Sequence, residues 1–248
     1  MNIYSNYGQQ TSNECGGHIH IGADYLKSKE AYINLYEIWG NAEEILYKIS
    51  NEKDSIPRMY INTYARPISS NIKRIMESGT ITLNNEQDLD KFIDVLQSTQ
   101  KENKFETRNF ALNLLNINNG KNTIEFRLSN GSLNPDTWIE NIRLYGRIVQ
   151  IAEKLAEIQK QATLSESDQR LLNLMENLKS GEKTEQEKME ILLEMLFDEE
   201  EREVYRERYF SCSELLTQLP YDENSLYGFK FPNSVNFKAN KDGNEYER

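Results

Sequence analysis

Polar and apolar residues alternate in a short segment near the amino terminus, HIHIGADYL, residues 18–26. Strict alternation is typical of a β-strand, in which successive side chains point to opposite faces. His18 and His20 then share one face, and Ile19 and Ile21 share the other. The pattern therefore predicts a strand that carries both of the chain's histidines on the same side.

Helical spacing replaces this alternation in the following segment, residues 28–50. Its apolar side chains recur every three or four positions, and Ser28 is suited to cap the first turn. We predict a helix here that buries one stripe, and a second amphipathic helix at about residues 86–98. Between them, residues 58–69, RMYINTYARPIS, are bracketed by prolines and predict a strand or an extended loop.

A β-hairpin is predicted around the turn signal NNGKN, residues 118–122. The flanking runs, residues 108–117 and 123–128, both have strand character. Along the second run, Glu125 and Arg127 point to one face and the apolar residues between and beside them point to the other.

The polarity of this hairpin restricts its register. A two-residue turn would pair Leu112 with Arg127, whereas an odd-length loop would pair Asn113 with Arg127 and Leu115 with Glu125. Cross-strand partners share a face of the sheet, so the polarity favours an odd-length loop of about three or five residues.

The remainder of the chain has helical patterns. Asn134 and Pro135 are suited to the N-cap and first position of a long helix. Its predicted buried stripe comprises Ile139, Ile142, Tyr145, Ile148, Val149, Ala152 and Leu155. SESD and TEQE are typical helix starts, and DEEEREVYRERYF predicts a charged helix. We therefore divide the chain into a core at residues 1–159, a helical appendage at 160–219 and a poorly ordered tail at 220–248.

Charge and composition exclude several classes of function. The chain has 40 acidic and 29 basic residues, a net charge of −11, which disfavours nucleic-acid binding. No apolar run approaches the roughly 20 residues that a membrane helix requires. Two cysteines cannot build a disulfide framework, so we expect a cytoplasmic protein. From the charge and the lack of an apolar run, we expect no nucleic-acid partner and no membrane partner.

The polar faces of the two predicted strands carry the most specific chemistry in the sequence. Imidazoles such as those of His18 and His20 bind metals and phosphate, and a glutamate such as Glu125 suits Mg²⁺ or Mn²⁺. Arg127 can donate two hydrogen bonds to phosphate or carboxylate. Each motif alone is weak, because such histidines often only hydrogen-bond in place and such ion pairs often lie in solvent. If the strands are neighbours, the four residues form a floor for metal and phosphate.

Four segments in this order, CGGHIHIGADYL, YARPIS, RNFALNLLN and TIEFRLSNGSLNPDTWIENIRL, resemble the putative amidoligase family over about residues 10–155. That family comprises carboxylate–amine ligases with a glutamine synthetase-like fold. The resemblance implies an α+β fold, in which a curved antiparallel sheet packs on helices and is followed here by the C-terminal helical appendage. It implies that the concave face binds ATP and Mg²⁺ (or Mn²⁺), and that an acyl phosphate forms before an amine attacks.

The resemblance also implies a role for each site residue. His18 and Glu125 match the ligands of one metal ion. His20 matches a contact with ATP phosphate, and Arg127 matches the contact with the transferring phosphoryl group, so that both are catalytic and cofactor-binding. Further anion contacts are implied, on fewer grounds, at three arginines, Arg58, Arg66 and Arg108.

One departure from the family pattern leaves the function open. Enzymes of this fold carry further acidic metal ligands on an upstream strand, often as E-x-E, but only 14 residues precede Cys15 and they contain one acid, Glu14. We therefore expect this chain to lack the N-terminal part of the core. It is then either a ligase acting on peptide, protein or small-molecule carboxylates and amines, or a non-catalytic protein whose 160–219 helices bind a protein partner. A metal hydrolase using the histidine pair lacks a recognisable third protein ligand.

Overall fold

The computed structural model describes residues 15–58, 61–77, 89–98, 101–102, 105–106, 109–219 and 230–236. The elements in chain order are β1 (Ile19–Gly22), α1 (Lys29–Ile49), α2 (Ile61–Tyr64), α3 (Ser69–Glu77), α4 (Leu89–Ser98), β2 (Lys101–Glu102), β3 (Phe105–Glu106), β4 (Leu112–Asn113), β5 (Thr123–Phe126), α5 (Pro135–Ile158), α6 (Glu166–Lys179), α7 (Glu185–Leu196) and α8 (Glu199–Thr217). The α+β class is confirmed. Within these residues, no helix is long and apolar enough to cross a membrane.

The main sheet has the strand order β1-β5-β4, and both pairings are antiparallel. A strand at the histidines is confirmed, although β1 begins after His18, and a hairpin of β4 and β5 is confirmed. Its loop is odd in length as predicted, but 11 residues, 114–124, separate the paired Asn113 and Glu125 instead of three or five. The predicted register is wrong by two residues, because Asn113 pairs with Glu125 rather than with Arg127. The ladder ends early because Leu115 lies in a turn, where its N–H bonds to the Asn113 side chain.

The helix α1 is the centre of the protein. Ser28 caps it as predicted, since its Oγ accepts the N–H of Ala31 at 3.3 Å. The prediction of a single buried stripe is wrong, because 18 of its 21 residues are buried. The sheet and α5 pack against one side, where Trp39 lies 5.6 Å from the Phe126 ring, and α6, α7 and α8 pack around the rest.

The long helix α5 begins as predicted, with the Asn134 side chain accepting the N–H of Asp136. Its buried stripe differs from the prediction, because Ile139 and Ile142 are 49% and 54% exposed. The inward position belongs instead to Asn141, whose amide donates to the carbonyl of Ser50 and to the Ser129 hydroxyl. Ser50 and Ser129 are both buried, so hydrogen bonds to buried polar groups favour this orientation of α5.

Of residues 58–69, those that the structure describes are not mainly extended, contrary to the prediction from the prolines. They contain the short helix α2 and then a single parallel bridge between Arg66 and Phe110. The predicted helix at 86–98 is observed from Leu89 onward, and residues 86–88 lie outside the described residues.

The C-terminal helices α6 and α7 begin at the predicted caps, with a complete capping box at Thr184. The predicted charged helix is α8, whose N-cap residue Asp198 makes no side-chain capping hydrogen bond. Their apolar side chains belong to the same buried cluster as those of α1 and α5. The buried Arg208 of α8 donates to the carbonyl of Ile49 and to the Asn141 side chain, both at 3.2 Å. Within the predicted tail, residues 230–236 pack on the helices, where the Val235 N–H donates to the Asn41 side chain.

Candidate functional site

The site lies on the face of the sheet away from the apolar core. In the β1–β5 pair, Ile19 stands opposite Phe126 on the core side, and His20 stands opposite Glu125 on the other side. Alternation along each strand therefore places both polar side chains on one face. The Glu125 side chain is nevertheless only 6% exposed, because neighbouring polar groups cover it.

Three predicted site residues meet at one oxygen, Oε1 of Glu125. Arg127 donates to it from Nη1 at 2.7 Å, and His18 Nδ1 lies 3.0 Å from it. His20 Nε2 lies 3.7 Å away. The structure thus brings His18 and His20 together with Glu125 and Arg127, a pair that lies about 100 positions later in the sequence.

The second oxygen of Glu125 has different partners, which no sequence motif indicated. Oε2 accepts hydrogen bonds from the side-chain amides of Asn113, at 2.7 Å, and Asn116, at 3.0 Å. A correct register would have identified Asn113, because it is the direct cross-strand partner of Glu125. No sequence signal points to Asn116, since it reaches the site from the turn.

These contacts keep the Glu125 carboxylate charged. Burial by itself raises the pKa of Glu125, but the hydrogen bond from His18, the charge of Arg127 and the Asn113 amide outweigh it and lower the pKa to about 2. A lowered carboxyl pKa contributes stability above the ordinary value of about 4.3 and loses that contribution as the pH falls toward 2. The site therefore presents an anionic oxygen at neutral pH.

The two histidines and Arg127 form the accessible surface of the site. The side chains of His18 and His20 are 36% and 37% exposed. His20 Nδ1 lies 3.0 Å from the Thr123 hydroxyl, and Arg127 Nε donates to the carbonyl of Tyr64. Because their other atoms are held in this way, the imidazoles and the guanidinium present defined edges to a bound molecule.

The donor set fits one side of a divalent-metal site. Two ligand atoms about 2.1 Å from an octahedral ion and at right angles are about 3.0 Å apart. His18 Nδ1 and Glu125 Oε1 have this separation. Across the described part of the chain, however, no group of three or more His, Cys, Asp or Glu side chains could hold a metal ion. A cation here would need further ligands and would replace the Arg127 hydrogen bond to Oε1.

The glycines before the histidines make room for side chains of the protein. A Cβ at Gly16 would overlap the Arg58 guanidinium, and a Cβ at Gly17 would overlap the Trp138 ring. Trp138 is fixed because its Nε1 donates to the carbonyl of Ser132. The structure therefore shows close packing of two side chains against these glycines.

Replacing Gly17 with alanine should therefore destabilise the fold. Overpacking typically costs about 1–3 kcal/mol, and we expect about 2 kcal/mol from the free energy of unfolding in urea. Gly22→Ala is the matched control at the end of β1, because a Cβ there has no atom within 4 Å. It should change the free energy by less than about 0.5 kcal/mol. Equal stability of the two variants would contradict the packing role of Gly17.

The three further arginines have different positions. Arg58 is buried, donates from Nη2 to the carbonyl of Arg127 at 3.1 Å, and has its pKa lowered by burial and then by the Arg127 charge. The Arg66 guanidinium lies 5.2 Å from the centre of the Phe110 ring. Arg108 lies outside the described residues. Their assignment as anion contacts stays a prediction.

Comparison with known proteins gives one match. The sequence model of a family described as "putative amidoligase enzyme" matches residues 1–149. This span contains β1, β5 and the side chains of His18, His20, Glu125 and Arg127. No curated protein and no solved structure matches the chain.

Proposed function

This chain belongs to the putative amidoligase family, and on that premise we propose that it is an ATP-dependent ligase that joins a carboxylate to an amine. The observation that supports the proposal is the convergence of His18, His20 and Arg127 on one oxygen of Glu125. A buried anion beside an arginine and two accessible imidazoles suits a site for a metal ion and a phosphate chain. The proposed fold of the core is the glutamine synthetase-like fold.

The proposed reaction has two steps. The substrate carboxylate attacks the γ-phosphorus of ATP, so that a new O–P bond forms, the bond to ADP breaks and an acyl phosphate results. An amine then attacks the acyl carbon, loses a proton, and expels inorganic phosphate as the C–N bond forms. The carboxylate and the amine belong to peptides, proteins or small molecules.

Each site residue has a proposed part in the first step. His18 and Glu125 would hold Mg²⁺ or Mn²⁺, which when bound neutralises negative charge on the phosphate chain. The accessible edge of His20 would contact a phosphate oxygen. Arg127 would donate to the transferring phosphoryl group, where charge develops in the transition state. Arg66 and Arg108 are proposed as further contacts to anionic groups.

An assay of ADP release tests the site assignment. In the presence of Mg²⁺, ATP and mixtures of candidate carboxylates and amines, His18→Ala and Glu125→Ala should each reduce the rate by about 100-fold or more. Lys121→Ala, an exposed position in the turn before β5, should leave the rate unchanged. Equal rates in the wild type and both site variants would remove the assignment.

A non-catalytic role on the same scaffold is the second candidate. It is favoured by the absence, among the residues that the structure describes, of a complete metal-binding group. In that case the helices within residues 160–219 would provide the surface for a protein partner. Calorimetry with ATP and Mg²⁺ on the full chain separates the two candidates, since clear binding counts against the non-catalytic role.

A further inference from the structure

The two asparagines beside Glu125 are both buried. Asn113 is fully buried and Asn116 is 7% exposed. Both donate to the same carboxylate oxygen, Oε2, at 2.7 and 3.0 Å. Neither hydrogen bond extends to Oε1, which faces the histidines and Arg127. The two oxygens of Glu125 therefore lie in separate environments.

The orientation of both amides is fixed by the turn between β4 and β5. Oδ1 of Asn113 accepts the N–H of Leu115 at 2.9 Å. Oδ1 of Asn116 accepts from the Asn119 amide at 3.4 Å, and Asn119 also donates to the carbonyl of Leu115. Because each Oδ1 is already an acceptor, the NH₂ group is the part of each amide that can face Glu125.

We infer that Asn113 and Asn116 form an asparagine clamp, which occupies Oε2 and leaves Glu125 to act on ligands through Oε1 alone. They are positioning residues rather than catalytic ones, since they would act through Glu125. This inference rests on the proposed role of Glu125 as a cation ligand. Partners that orient a metal ligand typically change metal affinity by about 10–100-fold when they are removed.

The clamp has a consequence for the choice of cation. Mg²⁺ and Mn²⁺ suit a carboxylate that binds through one oxygen in a compact octahedral shell, whereas Ca²⁺ readily accepts both oxygens at longer distances. A carboxylate with one oxygen occupied by two buried amides therefore favours the smaller cations. Loss of Asn116 would leave Oε2 with the Asn113 amide alone and should reduce this preference.

A purely structural role for the asparagines makes a different prediction. If they only satisfied the hydrogen-bonding needs of a buried carboxylate, their loss would lower the affinity for every cation in the same proportion. The chain offers a direct reporter of the site, because His18 and His20 are its only histidines. NMR spectra of protein labelled with ¹⁵N in histidine alone should contain signals from these two imidazoles and from no other residue.

The experiment compares the full-length wild type with Asn116→Ala and with Asn118→Gly as the matched control. Asn118 lies in the same turn, is exposed, and has a positive φ of 61° that glycine accepts. The histidine spectra are recorded without metal, and the affinities for Mn²⁺ and Ca²⁺ are measured by calorimetry. Should Asn116→Ala fail to fold, Asn116→Ser takes its place.

We expect Asn116→Ala to shift both imidazole signals in metal-free protein. Its Mn²⁺ affinity should fall by about tenfold, and its Ca²⁺ affinity should fall less. Asn118→Gly should match the wild type within about twofold. Unchanged imidazole signals in folded Asn116→Ala, or an unchanged ratio of the two affinities, would overturn the inference. If the wild type binds neither cation, the proposed metal role of Glu125 fails, and the metal-free spectra alone decide whether the clamp positions the site.

Discussion

Replacing Arg127 with alanine is expected to lower the kcat for ADP release by about 1,000-fold or more. An arginine that contacts the transferring group of a phosphoryl-transfer enzyme contributes about 10³–10⁵ to kcat. Arg127 is the cation nearest to the anionic oxygen of the site, since its Nη1 lies 2.7 Å from Glu125 Oε1. Its loss would leave both the buried carboxylate and the developing phosphoryl charge without a guanidinium partner.

Two comparison variants separate charge from geometry in this experiment. Arg127→Lys keeps the positive charge but loses the planar fork, so it should recover only part of the rate. Arg147→Ala removes an exposed arginine of α5 that donates to Gln150, and it should leave kcat unchanged. A folded Arg127→Ala protein with the kcat of the wild type would show that Arg127 does not contact the reacting phosphate.

Replacing Glu43 with alanine is expected to cost about 4 kcal/mol in the free energy of unfolding. Glu43 is buried in α1, and its Oε1 accepts from the Trp39 indole at 2.8 Å and from the N–H of Ile68 at 2.9 Å. Its Oε2 accepts the N–H of Ser69 at 2.8 Å, so the carboxylate caps the start of α3. Alanine would leave three buried donors unpaired, at about 1–3 kcal/mol for each before relaxation.

Urea unfolding followed by circular dichroism measures this loss. Glu30→Ala is the matched control, because Glu30 lies in the first turn of α1 and pairs with exposed Lys160 at 3.8 Å. An exposed pair of this kind contributes about 0–1 kcal/mol, so the control should remain close to the wild type. A loss below about 1 kcal/mol in Glu43→Ala would mean that water replaces the carboxylate at the start of α3.

The sequence alone was sufficient to predict most helix starts and the polar strand faces that carry the candidate site. Helices begin at the predicted N-cap residues Ser28, Asn134 and Thr184, whose side chains accept backbone N–H groups of the first turn. Alternation placed His18 and His20 on one face, and it did the same for the residues around Glu125. These features could be predicted because each depends on residues within one or two turns or a few strand positions.

Other features of the site depended on residues far apart in the chain. The register of β4 against β5 followed from a turn that begins at Leu115, and this turn brought Asn113 and Asn116 to Glu125. The space beside Gly17 was filled by Trp138 from α5. A single sequence gives the period of a strand but not the length of the turn that aligns it with its neighbour.

The sequence by itself therefore determined α1, α4 and the four C-terminal helices, the polar strand faces and the four residues of the candidate site, but not α2 and α3. Only the tertiary structure decided that α1 is buried on nearly all sides, that Ile139 and Ile142 remain exposed, and that Glu125 presents one oxygen. The physical reason is the range of the interactions. Hydrogen bonds and packing between neighbours in the chain leave a local pattern, whereas the partner of a buried polar group is chosen by the whole fold.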